Sequence, residues 1–322
     1  MDQEKNNQTM EPETTGTEPT AQKVDAAPKK KKRRWHFGDR SDGYKLRTIP
    51  VLTKFTPYIM PQRCDACNTY ADMFEVSKVD KFCREKVKAG MTNFSFLHVL
   101  LAAYVRIVSQ RPGVNRFVSG QKIYARKDIQ VVMVVKKQLT LEAPDTVVKV
   151  RFEPTDTIDE VYRKFDALVT AIREAPEKKS DFDKVNKIVA AIPGLLCRWT
   201  VKFLNFLDYF GLLPKKLLWI SPFHGSMIVT SMGSLGIRPI YHHIYNFGNL
   251  PVFLAYGGRR SVVTLDREGN ATTKKYIEMK AVTDERICDG FYYASSFRLF
   301  KRYVENPELL ETPPEQVYDD IL

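Results

Sequence analysis

Between Arg47 and Pro307, short runs rich in Val and Ile alternate with longer stretches of helical period, and this order restricts the chain to a mixed sheet covered by helices. Strands are predicted over 68–76, 122–125, 129–137, 146–152, 226–231, 251–256, 261–266 and 274–282. Helices are predicted over 79–88, 93–110, 157–174, 182–190, 195–210 and 290–304. The helix at 93–110 places Phe94, Leu97, Leu101, Tyr104 and Val108 along one face, and Arg111-Pro112-Gly113 stops it. Asp156 is the predicted cap of the helix at 157–174, which follows the fourth strand. The apolar stretch Ile192–Ile220 is interrupted by Arg198, Lys202, Asp208, Lys215 and Lys216, so it reads not as a membrane span but as an amphipathic helix packed on the core, with contact to a membrane surface the minor alternative.

A length of 322 residues suits a sizeable core, and 43% hydrophobic with 27% charged residues excludes a disordered or fibrous chain. Residues 1–34 are read as a disordered tail, since they hold almost no large apolar side chains to offset ordering entropy. The folded domain is expected over 35–310, with an acidic C-terminal tail at 311–322. Residues 1–28 carry −4, Lys29–Arg34 +6 and residues 305–322 −6, so 35–304 carry +16 of a total of +12. Such a body attracts polyanions, CoA phosphates and acidic proteins among them. The Lys29–Arg34 block reads as a solvated charge run, in preference to a nucleic-acid arm or a lipid tether. The first thirty residues contain no apolar leader, and the five cysteines are an odd count. Both point to reduced thiols in a cytoplasmic protein. Cys64-Asp65-Ala66-Cys67 has the spacing of half a zinc site, but no second pair completes it, and no metal is expected.

Three segments, in order, resemble the chloramphenicol acetyltransferase superfamily and its relative, the catalytic domain of the dihydrolipoyl acyltransferases of 2-oxoacid dehydrogenase complexes. The first is Phe96-Leu97-His98-Val99-Leu100-Leu101 with Arg111-Pro112-Gly113-Val114-Asn115 and the strand at Ile129-Gln130-Val131-Val132. The second is Met227-Ile228-Val229-Thr230-Ser231-Met232-Gly233-Ser234-Leu235-Gly236, continued by Pro251–Gly257. The third is Thr283-Asp284-Glu285-Arg286-Ile287-Cys288-Asp289-Gly290. It matches the active-site motif Asp-His-Arg-x-x-Asp-Gly at every fixed position except the histidine, which is Glu285 here. The resemblance spans most of the chain but brings no lipoyl domain.

The resemblance implies an α/β, two-layer sandwich with a mixed sheet, a homotrimer, and a site between subunits that takes CoA or acetyl-CoA as acyl donor for an unknown acceptor. It makes Asp289 the structural aspartate, paired with Arg63 or Arg47. Thr230, or Ser231 beside it, is then the hydroxyl that donates to the oxyanion, and His242 and His243 fall in the region that lines the acceptor pocket. If that region is a strand, the two histidines face opposite sides and one of them can replace the missing base. His224 and His98 read as structural. Glu285 is the departure. A free carboxylate, with pKa ~4.3, is a poor base for a thiol at ~8.5, a gap of about 6 kcal/mol. Glu285 is therefore read as a holder of a cationic acceptor, as a base for a more acidic substrate, or as one half of an ion pair with a nearby Lys or Arg. The runner-up function is a non-catalytic, trimeric binding or scaffold member of the same fold, with an acidic protein as partner.

Overall fold

A computed structural model describes residues 34–136, 145–174, 181–265 and 267–320. Apart from Arg34, the predicted tail and its basic block lie outside the described residues. The chain order is β1 (Gly43–Lys45), α1 (Val51–Ile59), β2 (Cys67–Glu75), α2 (Ser77–Lys88), α3 (Phe96–Gln110), β3 (Arg116–Ser119), β4 (Lys122–Arg126), β5 (Ile129–Lys136) and β6 (Asp145–Phe152). It continues with α4 (Ile158–Glu174), α5 (Asp181–Ala191), α6 (Gly194–Tyr209), α7 (Lys215–Ile220), β7 (Met227–Ser231), β8 (Val252–Leu265), β9 (Ala271–Asp284) and α8 (Gly290–Glu305).

Among the described residues the main sheet has six strands in the order β2-β9-β8-β7-β5-β6, and a small sheet joins β1-β4-β3. β7 runs parallel to β5 and β8, while the remaining pairs are antiparallel, so the sheet is mixed as expected. Strand alternation sends Val131, Met227, Val229, Leu254 and Ala281 into one large core with α2, α3, α4 and α8. The alternate residues Val132, Ile228, Phe253 and Val282 form a second cluster on the opposite face with Ile244 and Leu250. Burial on both faces explains why these strands read as continuous apolar runs.

α3 is the central helix, with every residue from Phe96 to Ser109 buried. Its start is fixed by Ser95, whose backbone N–H donates to His98 Nδ1 at 3.0 Å. His98 is thereby structural, and burial pushes its imidazole down to about 4. At α4 the cap is Thr157 instead of Asp156. Thr157 and Glu160 bond reciprocally in a capping box, while Asp156 binds Lys164 at 2.6 Å and the Glu153 N–H at 2.8 Å. The acidic C-terminal segment runs along α3. Tyr318 N–H donates to Ser109 O at 2.9 Å, and Asp320 pairs with Arg116 at 2.6 Å.

α6 departs from expectation. It does not bury its apolar face against the core; only Asp208 is buried along its length. Asp208 binds Arg40 at 2.6 Å, and Arg40 in turn binds Asp42 at 2.9 Å, so a buried ionic network ties the foot of α6 to the small sheet. Two predicted strands, 251–256 and 261–266, form the single strand β8, irregular in register between Tyr256 and Arg259. The glycines there serve a close approach: a Cβ on Gly233 would lie 2.6 Å from Gly258 N, and one on Gly257 would lie 2.7 Å from Pro239 Cδ.

Candidate functional site

The turn 283–290 is built on buried charge. β9 ends at Asp284, opposite Cys67 of β2, and the Glu285 N–H extends the ladder to Ala66 O at 2.8 Å. Asp284 is fully buried. Its carboxylate accepts two bonds from Arg286, Nε at 2.8 Å and Nη2 at 2.7 Å, and lies 3.4 Å from Arg63 Nε. Arg63 uses its other donors on the carbonyls of Val118 at 2.9 Å, Gly248 at 2.6 Å and Tyr245 at 3.1 Å. Arg286 reaches Met60 O at 3.0 Å, and Tyr293 donates to Asp284 O at 2.8 Å. Segments far apart in sequence are thereby locked around one carboxylate.

The structural aspartate of the turn is Asp284, and this corrects the expected pairing of Asp289. Arg63 pairs with Asp284, and Arg47 with Asp39 at 3.1 Å. Asp289 is the N-cap of α8, accepting from Tyr292 N–H at 2.8 Å. The neighbouring Cys288 thiol is pushed up to about 12 by burial, which removes it as a nucleophile.

Glu285 is exposed on this rigid turn, and its carboxylate has no hydrogen bond or ion pair among the described residues. The expected pairing with a Lys or Arg is not formed among the described residues. Beside the turn opens a cleft of about 490 Å³ lined by Arg63, Arg286, Gln62, Asn205, Asp208 and Asn246.

Thr230 and Ser231 end β7 and point to opposite faces. Ser231 turns toward the α3 side, beside Tyr256 of β8 in register. Thr230 shares the other face with Ile228, half-buried, and its hydroxyl has no partner among the described residues. In register, Thr230 lies beside Ala255, and Ala255 beside Lys280 of β9. Glu285 is five residues beyond Lys280, or roughly 16 Å along the strand. Within one chain, Thr230 and Glu285 therefore do not meet.

The histidines lie in a loop, not a strand, so strand alternation does not govern them. The His242 ring stacks on Phe253 at 4.1 Å, its Nε2 buried without a partner. Burial, followed by the neighbouring His243, lowers its pKa. His243 packs edge-on against Tyr245 at 5.6 Å. Phe253 pairs with Ile228, so His242 sits one same-face step from Thr230. Lys280 joins the same face, its ammonium 4.8 Å over the Tyr241 ring and 3.7 Å from Glu278. Lys280 and Tyr241 were not singled out in the sequence; the available signal was a lysine interrupting the apolar alternation Met279-Lys280-Ala281-Val282. His224 is structural: its Nδ1 lies 2.8 Å from Ser221 Oγ and its Nε2 3.7 Å from Asp208. Cys64 and Cys67 are free thiols, and no cluster of metal-ligating side chains occurs among the described residues.

No family model and no curated protein sequence matches the chain. Solved structures do. A probable dihydrolipoamide acetyltransferase from Listeria monocytogenes aligns over 81% of this chain and 94% of its own, at 13% identity and a TM-score of 0.52. The dihydrolipoamide acetyltransferase of Azotobacter vinelandii aligns over 83% and 94%, at 11% identity and a TM-score of 0.51. Its catalytic mechanism has been studied at a serine, a histidine and an asparagine, the last two four positions apart. A chloramphenicol acetyltransferase aligns over 81% and 98%, at 15% identity and a TM-score of 0.46. The chain has the fold of the dihydrolipoamide acetyltransferase catalytic domains, the architecture its motifs implied.

Proposed function

We propose that this protein is a trimeric acyltransferase that takes CoA thioesters as donor, with each site assembled from the Glu285 turn of one subunit and the Thr230–His242 face of the next. The observation that carries this reading is the separation of Glu285 from Thr230 by roughly 16 Å in one chain, while neither has a partner among the described residues. A second subunit brings such groups together. Glu285 and Asp289 also keep the four-residue spacing of the histidine and asparagine studied in the Azotobacter vinelandii enzyme. The +16 body complements the phosphates of CoA.

The carboxylate selects the acceptor. It is a weak base for a thiol, but it suits an amine, whose nitrogen becomes cationic and acidic only as it adds to the thioester carbonyl. Addition forms the C–N bond and places negative charge on the carbonyl oxygen, to which the Thr230 hydroxyl donates. Glu285 takes the proton from nitrogen. The C–S bond then breaks, and the same proton passes to the departing CoA sulfur, leaving an amide and free CoA.

The test is product analysis by mass spectrometry with acetyl-CoA and a panel of amine and dithiol acceptors, alongside light scattering. The expected result is a trimer that acetylates an amine and scarcely acetylates a dithiol. Glu285→Gln should lower the rate by about 10²–10⁴-fold with the trimer intact. Absence of acetyl-CoA binding in calorimetry would instead favour the scaffold reading. Transfer that survives Glu285→Gln would move the base elsewhere, with His242→Ala the next variant.

A further inference from the structure

The least expected surface of this protein is α6. Leu195, Leu196, Trp199, Phe203 and Phe206 are 55–71% exposed. They recur at helical spacing, so they form one continuous stripe. The face turned to the body is a different one, marked by the buried Asp208 and the half-buried Leu204. The helix thus has two apolar faces, and the outward one is uncovered. Phe210 and Leu212, exposed by about 60%, continue it toward α7.

We propose that α6 is a peripheral membrane anchor that seats its outward stripe in an anionic lipid surface. Charge selects this occupant. Residues 194–220, which span α6 and α7, contain four cations, Arg198, Lys202, Lys215 and Lys216, against one acid, Asp208. That acid is spent internally on Arg40. Subunit interfaces are depleted of lysine, and this segment offers a second copy no free carboxylate with which to pair. A sheet of lipid phosphates supplies continuous anions, and the adjoining acyl boundary accepts apolar side chains to a depth of about 5–10 Å. Arg198 and Lys202 are exposed one turn apart beside the stripe, and the Lys202 ammonium lies 5.1 Å over the Trp199 ring. Long cationic side chains at such positions reach headgroups while their stems cover apolar surface. No helix among the described residues is long and apolar enough to cross a membrane, so the contact is one of lying on the surface.

A second observation extends the footprint. Tyr209, at the end of α6, donates to Gln121 Oε1 at 3.2 Å. Gln121 also borders a cleft of about 310 Å³ that holds Lys45, Arg47, Lys54 and Lys122. Burial, then the neighbouring Lys122, Arg47 and Lys54, hold Lys45 below its ordinary pKa, a crowding that a phosphate headgroup relieves. α1 borders this cleft with Val51, Leu52 and Phe55 exposed by 58–81%. Cations and insertable side chains therefore continue from α6 to α1.

Vesicle co-sedimentation of the full chain tests the proposal, with phosphatidylcholine alone against equal parts phosphatidylcholine and phosphatidylglycerol. The expected result is binding to the anionic vesicles only, weakened by salt. Trp199→Ser/Phe203→Ser should lower that partition by about tenfold or more, and Arg198→Glu/Lys202→Glu should lower it most at low salt. Light scattering and circular dichroism should show the oligomer and fold of both variants unchanged. The proposal is overturned if the native chain binds no vesicles. It is also overturned if the Ser double variant binds as the native chain does, because the basic block at 29–34 then suffices. Dissociation of the oligomer in the Ser double variant overturns it too, since α6 would then be a subunit contact.

Discussion

Removing the charge of Asp284 tests how firmly the candidate turn is built. Asp284→Asn keeps the size of the side chain but points an amide N–H₂ at donors that now face a carboxylate. Arg286 loses a bidentate partner at 2.7 and 2.8 Å, and Arg63 its counter-ion at 3.4 Å. Both guanidinium groups stay buried, Arg63 at 6% exposure and Arg286 at 2%. Breaking one buried pair by removing a partner costs about 3–5 kcal/mol, because the surviving charge is left uncompensated. A typical domain has about 5–15 kcal/mol in total, so the variant forfeits a large share. Glu285→Gln, one residue away, removes no internal contact and should cost less than about 0.5 kcal/mol. Reversible urea unfolding of both variants at one fixed protein concentration measures the contrast, fixed because an oligomer's stability depends on concentration. A loss below about 1 kcal/mol for Asp284→Asn would refute the account of a turn held by this carboxylate.

Two further perturbations probe the surroundings. Lys149 is buried, donates to Leu218 O and Ser221 O at 2.8 Å each, and is lowered to about 7, chiefly by burial. The unfolded chain binds the extra proton between that value and the ordinary 10.5, so stability should rise with pH in this window. The gain is about 2 kcal/mol from pH 7 to 9; Lys149→Met should abolish this rise in urea titrations, and an unchanged slope would reject the assignment. Gly248 has φ +90°, and a Cβ there would lie 2.1 Å from Phe223 O, so Gly248→Ala should cost more than about 2 kcal/mol by the same assay.

The order of the sheet and helices was legible because strand alternation and helical period are local properties. What was missed has local causes as well. Pro57 sits inside α1 and hides it from a helical reading. Gly257-Gly258 splits β8 into two apparent strands, though the ladder to β9 resumes at Arg259. The amphipathic pattern of Ile192–Ile220 was visible, but periodicity says only that a face is apolar, not what covers it, and here the sharper stripe faces outward. At the turn, the motif contains two aspartates and sequence alone does not say which one is buried. The partner of Asp284, Arg286, was not legible, because strand alternation ends with β9 at Asp284 and the turn beyond it sets where Arg286 reaches. The distance from Glu285 to Thr230 was not legible at all, because it depends on the β7-β8-β9 register.

The turn that carries Glu285 also bears on how this fold changes its chemistry. Asp284, Arg286 and Arg63 hold the backbone from below, and the side chain at 285 takes no part in that work. On the proposed function, stability and reactivity are thus written at neighbouring but separate positions. Exchanges at 285 should therefore leave the fold intact while changing the group that the turn presents. A saturation library at this single position would sample reaction types against a constant scaffold.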